Sequence, residues 1–174
     1  FAFLQNEPLR FITSSQWNNS FQVFKIEQNS ITHLSTQSQK YSLISAICPA
    51  GGDLLLTSWR DSSLCLFDLS KNDKTKNLIY RITPHLTTLV DIDVNKSLGL
   101  IGSLDKNSQL ILSSLLTGKL VRSINIQSDE YIPQKLMIFD VGYIGTALEK
   151  KTTDMEIIIT FYNINTFYIG EIKY

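Results

Sequence analysis

The sequence predicts an all-β chain: a β-propeller fragment of about four blades, each a four-stranded antiparallel sheet. Apolar residues alternate with polar ones in short runs, at residues 21–26, 64–69 and 110–112, separated by Gly, Asn, Asp and Ser. No window combines a helical period with a capping residue and a terminal glycine. The third observation is a repeat of about 43 residues, the length of one blade.

The repeat becomes visible when Phe24 is aligned with Phe67. Residues 14–26 then match residues 57–69, and residues 100–112 form a third copy whose turn is shifted by a residue or two. In each copy an apolar strand ends at small residues, an Asp- or Asn-containing turn follows, and an alternating strand leads away. This pattern is typical of consecutive hairpins in a blade.

The remaining strands complete the units. Strands are predicted upstream of the second and third copies, at 43–48 and 88–94. In the fourth unit a strand is predicted at 134–139, a turn and return at 141–145, and further strands at 155–162 and 166–172, after a polar loop at 149–154. Residues 70–76 and 127–133 are predicted as loops. The chain is therefore interpreted as a single partial propeller with units 1–40, 41–84, 85–128 and 129–174.

The totals exclude several function classes. Of 174 residues, 43% are hydrophobic, which is enough for a buried core, and 16 basic residues balance 16 acidic ones. No net field therefore favours nucleic acid or an anionic membrane. The cysteines, Cys48 and Cys65, are predicted to be reduced core thiols of a cytoplasmic protein. No apolar run is long enough to span a bilayer, so no direct membrane insertion is expected.

Several segments carry a resemblance to a known family. Residues 17–24, WNNSFQVF, look like a W-D-N-S-F-R blade, and residues 58–63, SWRDSS, are similar to an S-R-D-T-T turn. Both motifs belong to the WD-repeat propeller at the C-terminal end of BEACH-domain (beige and neurobeachin-like) proteins. Residues 102–105 and 117–124 resemble the next blade of that propeller. Residues 142–144 and 161–165 resemble the blade after it.

The resemblance implies a very large cytosolic parent protein, and the first residue, Phe1, is not Met, as expected for a segment of one. A BEACH domain of the same parent chain would precede residue 1 and be a partner of the propeller. The family resemblance implies a scaffold for membrane trafficking, lysosome-related organelles and autophagy. It also implies peripheral association with endomembranes through the parent protein.

The sequence departs from the WD-repeat pattern in its polar residues. Pro84 precedes His85 where the family has glycine, Leu112 stands in the place of the tryptophan, and Ser38-Gln39 replaces Gly-His. No unit shows the complete His, Ser, Asp and Trp set. We therefore expect blades held by apolar packing more than by a polar network.

We expect the conspicuous polar and aromatic residues to be structural. His85 is a candidate base, but its place before a strand favours a hydrogen-bonding role, and His33 is expected to be an exposed strand residue. Acids in separate turns do not indicate one metal site, and Asp91 and Asp93 are predicted on a solvent-facing strand edge. No catalytic residue, metal or cofactor is predicted; the residues assigned to blade turns and packing are Asp61, Phe67, Asp68, His85 and Asp105.

The function predicted is a non-catalytic platform for protein partners, without nucleic acid. Trp17 and Trp59 fall near tight turns and are the candidate protein-binding residues. Two other classes stay open: a WD-repeat adaptor that recruits substrates to a ubiquitin ligase, and a β-propeller enzyme with clustered acids. Because a blade needs a neighbour on either side, an isolated run of four is expected to be unstable or self-associating.

Overall fold

A computed structural model describes residues 1–4, 9–15, 19–38, 42–71, 77–126, 130–152 and 156–174. These residues form sixteen strands and no helix. The strands are β1 (Ala2–Leu4), β2 (Arg10–Ser15), β3 (Ser20–Glu27), β4 (Ser30–Ser38), β5 (Ile44–Gly51), β6 (Leu54–Trp59), β7 (Leu64–Asp68), β8 (Leu78–Ile82), β9 (Leu89–Asn95), β10 (Leu100–Asp105), β11 (Gln109–Ser114), β12 (Leu120–Asn125), β13 (Tyr131–Ile138), β14 (Tyr143–Lys150), β15 (Ile157–Asn163) and β16 (Tyr168–Lys173).

The strands form four antiparallel sheets, each made of four consecutive strands paired in chain order. We call them sheet 1 (β1–β4), sheet 2 (β5–β8), sheet 3 (β9–β12) and sheet 4 (β13–β16). Each sheet falls within one of the predicted units. The chain divides into two compact units, Phe1–Thr83 with sheets 1 and 2, and Pro84–Tyr174 with sheets 3 and 4. No helix capable of crossing a membrane occurs in the described ranges.

In each unit the alternation of side chains buries one sheet face against its neighbour. In the first unit the core contains Leu4, Ile12, Phe21 and Val23 of sheet 1 and Ile44, Leu55, Trp59, Cys65 and Phe67 of sheet 2. The Phe21 and Phe67 rings meet edge to face, 5.1 Å apart. In the second unit the core contains Leu104, Leu110, Leu112 and Ile126 of sheet 3 and Leu136, Ile138, Ile144, Leu148 and Tyr162 of sheet 4.

Polar side chains on β9 join sheet 3 to sheet 4. Asp91 Oδ2 accepts a hydrogen bond of 2.9 Å from the backbone N–H of Leu136, and Asp93 Oδ2 accepts one of 2.7 Å from Ile138. Two residues further on, Asn95 Nδ2 donates to the carbonyl of Phe139 at 2.9 Å. Two of these contacts use backbone N–H groups of β13 that point away from β14, and the third uses a carbonyl of the turn that follows β13; we call the three contacts the β9 ladder. The prediction that Asp91 and Asp93 lie on a solvent-facing edge was therefore wrong.

Gly102 of β10 faces the same junction between sheets 3 and 4. A Cβ atom at this position would lie 2.7 Å from Cδ1 of Ile138 and 2.9 Å from Cδ2 of Leu136. The missing side chain therefore leaves room for two core side chains of β13 whose backbone N–H groups are held by the β9 ladder. Close backbone approach is the reason for glycine here, since the residue lies within a regular strand.

Sheet 4 differs from its predicted boundaries. Residues 131–133, predicted as a loop, open β13, and β14 continues through Glu149 and Lys150, which were placed in the polar loop. Tyr131 pairs with Lys150 in the sheet, and both side chains bond Glu156, at 2.8 and 2.6 Å. Polar residues therefore extend this hairpin because their side chains meet one another at its end. Pro133 is accommodated because β13 is the first, edge strand of its sheet.

One turn type recurs in three of the sheets. In each, an N–H at the fourth residue bonds the carbonyl of the first, and that fourth residue has a positive φ: Ser62 (67°), Gly99 (63°), Ser108 (61°), Gly142 (84°) and Thr166 (67°). This is the geometry of a type I turn followed by a left-handed residue. Glycine meets this requirement without strain in two of these five turns, whereas a β-branched threonine occupies another.

We predict opposite effects of substitutions at two equivalent turn positions. Thr166→Gly should raise the free energy of unfolding by roughly 0.5–1 kcal/mol, because it removes a β-branched residue from the left-handed region. Gly142→Ala should lower it by about 1 kcal/mol, since the new Cβ is strained and lies 3.3 Å from Ile164 Cγ2. Urea unfolding of both variants measures the difference. A stabilised Gly142→Ala would contradict the turn assignment.

Candidate functional site

His85 lies in a buried polar network at one end of sheet 3. Its Nε2 and the Oγ of Ser103 share a hydrogen bond of 2.8 Å, and its Nδ1 lies 3.2 Å from Oδ2 of Asp105. Thr87 Oγ1 donates to the same Asp105 oxygen at 2.8 Å. The other oxygen of Asp105 accepts the backbone N–H groups of Asn107 and Gln109, both at 2.9 Å. Asp105 therefore fixes a turn and places its carboxylate beside the histidine.

This network adds a polar tie at sheet 3 to blades that were expected to be held by apolar packing more than by a polar network. The sequence departs from the WD-repeat pattern before His85 and at Leu112, yet His, Ser and Asp of sheet 3 come together in space. Ser103 was not among the predicted structural residues. The sequence feature that could have identified Ser103 is a hydroxyl residue in the otherwise apolar middle of β10, directly before Leu104 and Asp105.

The atoms of this network match the Ser–His–Asp arrangement of nucleophilic hydrolases, with Nε2 toward the serine and Nδ1 toward the carboxylate. Burial distinguishes this network from the active site of a hydrolase. Ser103 is 0% exposed, and its Oγ also lies 3.4 Å from the Ile111 carbonyl inside the sheet. A substrate carbonyl has no approach to this oxygen, so the network can tie strands together but cannot attack a substrate.

Burial also determines the charge of His85. Loss of solvation lowers the pKa of the imidazole below its ordinary 6.5, and the nearby Asp105 carboxylate only partly opposes this shift. The folded protein therefore holds His85 neutral near pH 7. The carboxylate favours the tautomer with the proton on Nδ1, which leaves Nε2 to accept from the Ser103 hydroxyl.

Sheet 2 replaces this network with a tryptophan. Trp59 Nε1 donates to Thr57 Oγ1 at 2.8 Å, and the Thr57 hydroxyl donates to the Cys65 carbonyl at 3.3 Å. Thr57 and Cys65 are paired in sheet 2 as Ser103 and Ile111 are in sheet 3. Trp59 is 1% exposed and belongs to the core of the first unit. The prediction that it binds a protein partner from the propeller rim was wrong, because the indole fills the interior and has its N–H satisfied there. Trp17 lies outside the described residues.

The other predicted structural residues are found in turns and packing. Asp61 Oδ1 accepts the N–H and the hydroxyl of Ser63, at 3.1 and 2.6 Å. Asp68 Oδ1 accepts both groups of Ser70 in the same way, and these bonds lower the pKa of its carboxyl. Phe67 is a core residue. Asp61 is third in its turn whereas Asp105 is first, so Trp59 is the positional counterpart of Asp105.

The two cysteines and the two histidines form no reactive centre in the described residues. Burial raises the pKa of the Cys65 thiol to about 11, so this thiol is protonated at neutral pH. Cys48 is half-buried, and neither cysteine is in a disulfide. His33 is exposed, bonds Thr36 and contacts the Phe24 ring. Across the described ranges, no three His, Cys, Asp or Glu residues are grouped so that they could hold a metal ion.

Exposed apolar residues mark one end of the second unit. Four turns lie there, residues 95–99, 114–119, 139–143 and 163–167, and we call them the turn rim. Hydrogen bonds connect them: Leu115 N–H to the Gly99 carbonyl, Asn95 to the Phe139 carbonyl, and Ile164 N–H to the Gly142 carbonyl. The rim carries the exposed side chains of Leu98, Leu116, Val141 and Phe167.

The turn rim was not predicted from the sequence. Its apolar residues lie within short turns that also contain polar residues, as Leu116 does in the segment Ser114-Leu115-Leu116-Thr117. Leu116 is 85% exposed and Val141 77% exposed. Large apolar side chains on hydrogen-bonded turns are the kind of residue that protein partners bury. The alignment of β9 with β13 brings these turns to one end, and no local pattern shows that.

No family model matches the chain, and no curated protein matches it. Among solved structures, it is similar to the computationally designed Ika8 protein, with a TM-score of 0.74 and 13% sequence identity. The likeness covers 97% of this chain and 47% of the designed chain, so this chain spans about half of that protein. Together with the four blade-like sheets, it confirms the predicted fold class and carries no information on function.

Two serines of sheet 3 allow a matched test of the His85 network. Ser103→Ala should lower the free energy of unfolding by roughly 1–3 kcal/mol, because it leaves buried His85 without its hydroxyl partner. Ser113→Ala should be near neutral, since the equally buried Ser113 Oγ has no hydrogen-bond partner among the described residues. Urea unfolding measures both. Equal effects of the two substitutions would contradict a specific role of Ser103.

The lowered pKa of His85 predicts a pH dependence of stability. Because the unfolded chain binds a proton near the ordinary pKa of 6.5 and the folded chain resists it, stability is full above that pH. It should decline as pH falls through 6.5 toward the lower pKa of the folded state. His85→Gln should reduce this decline, whereas the control His33→Gln should retain it. An unchanged slope in His85→Gln would show that His85 is not the group responsible.

Proposed function

We propose that this chain is a non-catalytic scaffold that binds protein partners through the turn rim. The observation that carries the proposal is the set of exposed apolar side chains on four turns tied to one another by hydrogen bonds. Such turns present apolar area with little loss of conformational freedom on binding, because the backbone is already fixed. Loops on a rigid β framework are a common place for recognition residues.

The positions of the reactive side chains support binding over catalysis. The serine and histidine that could form a nucleophilic pair are enclosed in sheet 3, and Asp61 and Asp68 are occupied by their own turns. Asp91 and Asp93 hold backbone groups of β13. These four acids therefore stabilise the fold.

The resemblance of residues 17–24 and 58–63 to the BEACH-associated propeller favours a trafficking scaffold. We propose that the chain is the WD-repeat part of a large BEACH-domain protein, cytoplasmic and peripheral to endomembranes through that parent. Sequencing of the complete transcript tests this parentage. A BEACH domain encoded before Phe1 is the expected result, and a start codon immediately before Phe1 would contradict it.

Substitutions on the rim test the binding role. Leu116→Asp combined with Val141→Asp should weaken partner binding by about thirtyfold or more, equivalent to about 2 kcal/mol, because both side chains leave an apolar contact. The measurement is quantitative capture of cytosolic proteins on immobilised chain, followed by titration of the captured partner. Folding of the variant is checked by circular dichroism.

The control variant is Leu86→Asp. Leu86 is 99% exposed but precedes β9, at the opposite end of the same unit. Capture that is lost with the rim variant and kept with the control supports the proposal. Equal capture by all three chains would refute it. Enrichment of ubiquitin-ligase subunits in place of trafficking proteins would move the function to substrate recruitment.

A further inference from the structure

The outer edge of sheet 3 is a row of backbone groups on an exposed strand. In the strand order, β12 is the last strand of sheet 3, whereas β9 contacts β13 at the other side of the sheet. Leu120 of β12 is 65% exposed, and Ile124 is the only residue of this strand that is half-buried. An edge of this kind can be extended by a strand of another chain.

The backbone N–H groups of β12 point alternately toward β11 and away from it. The N–H of Ile126, one residue after the strand, donates to the Ser108 carbonyl at 2.8 Å and so points toward the β11 side. Because the direction alternates along an antiparallel strand, the N–H groups of Ser123 and Asn125 point away from β11. They are about 7 Å apart, which is the repeat of the carbonyl groups along one edge of a second strand.

The charges exposed on sheet 3 and its turns are all positive. The exposed charged residues between residues 84 and 126 are Lys96, Lys106, Lys119 and Arg122. None of these four cations forms an ion pair within the described part of the chain. The acids of this sheet, which are Asp105 and the two of the β9 ladder, accept hydrogen bonds inside the fold. An anionic partner would therefore meet no exposed carboxylate of sheet 3.

The outermost strands of the other sheets do not have an unmatched cation. β4 contains no acidic residue, lysine or arginine. Arg81 of β8 forms an ion pair with Asp61, and Lys173 of β16 forms one with Glu171. In β12, by contrast, Arg122 has no carboxylate partner among the described residues, and Lys119 directly precedes the strand. The charge at the edge of β12 is therefore free to select a ligand.

The two faces of β12 differ in chemistry. Arg122 is paired with Leu112 of β11 and Leu120 with Ser113, so the two β12 side chains lie on opposite faces of the sheet. A strand added beside β12 would meet a cation on one face and an apolar side chain on the other. The complementary segment alternates acidic and apolar residues, since opposite charges across a strand pair stabilise it. A second copy of β12 is not complementary, because it would place cations beside cations.

We propose that the outer edge of β12 binds an extended peptide segment in which acidic residues alternate with apolar ones, as an added strand of sheet 3. The N–H groups of Ser123 and Asn125 donate to its carbonyls, and its carboxylates lie beside Arg122 and Lys119. The Arg122 guanidinium donates to the Val121 carbonyl at 3.0 Å, an exposed bond that a stronger bond to a carboxylate can replace. This inference goes beyond the proposed function, because the contact runs along a strand edge and not over the apolar side chains of the turn rim.

Fluorescence anisotropy tests the charge requirement. The 174-residue chain is titrated into a labelled, capped peptide that alternates glutamate and valine, and binding is expected. A peptide with lysine in place of glutamate should bind far more weakly. Lys119→Gln combined with Arg122→Gln should weaken binding of the glutamate peptide by about threefold to tenfold, as expected for two exposed charge pairs. The control Lys106→Gln removes the same charge from the turn between β10 and β11 and should bind as the wild type does.

Ser123→Pro tests strand addition separately from charge. Proline removes the outward N–H of β12, and an edge strand tolerates it where that N–H faces solvent. Binding of the glutamate peptide should be lost, while the circular dichroism spectrum stays that of the wild type. Should this variant fail to fold, a glutamate peptide with every amide N-methylated replaces it, and this peptide should not bind the wild-type chain.

Four results would overturn the proposal. They are no binding of the glutamate peptide to the wild-type chain, equal binding of the glutamate and lysine peptides, equal weakening by Lys106→Gln and by the double substitution, and unchanged binding in the proline or N-methyl test. The last result would reveal attraction between charges without an added strand. Because the peptide is purified, none of these results depends on the capture of partners by the turn rim.

Discussion

The β9 ladder is the interaction on which the second unit depends. An edge strand leaves every second backbone N–H without a partner, and in β13 two of these groups, at Leu136 and Ile138, are turned toward sheet 3. Asp91 and Asp93 lie two residues apart on one face of β9 and accept both. Asn95, at the next position of the same period, holds the turn that follows β13. A charged acceptor makes such bonds stronger than neutral ones.

The ladder fixes the register of two sheets, and this register positions everything else in the unit. It places Leu136 and Ile138 in the space left by Gly102 and brings the turns at residues 95–99 and 139–143 to the same end. At the other end, Asp105 ties its own turn to His85 and Thr87. Polar contacts thus fix both ends of the unit while apolar packing fills the middle. The backbone of the turn rim is held in place by the polar contacts at its own end.

Sequence reasoning predicted what depends on periodicity and missed what depends on neighbouring sheets. The alternation of apolar and polar residues and the blade-length repeat predicted the sheets and the turns that contain Asp61 and Asp105. Strands and tight turns are predictable in this way because they are determined by the local sequence. The roles of Asp91 and Asp93 depend on a strand about 45 residues away, and alternating acids look the same on a solvated edge. Trp59 was misplaced because a tryptophan next to a turn can point either way. The direction of the Trp59 side chain is set by its hydrogen bond to Thr57 and by the core that surrounds the indole.

Amide hydrogen exchange of β13 tests the role of the ladder most directly. In Asp93→Ala the amide of Ile138 should exchange about tenfold to a hundredfold faster, as expected for loss of a bond to a charged acceptor worth about 1.5–3 kcal/mol. The amide of Leu136 should respond in the same way to Asp91→Ala, while amides of sheet 2 keep their wild-type rates. Wild-type protection of both amides in the two variants would contradict the account.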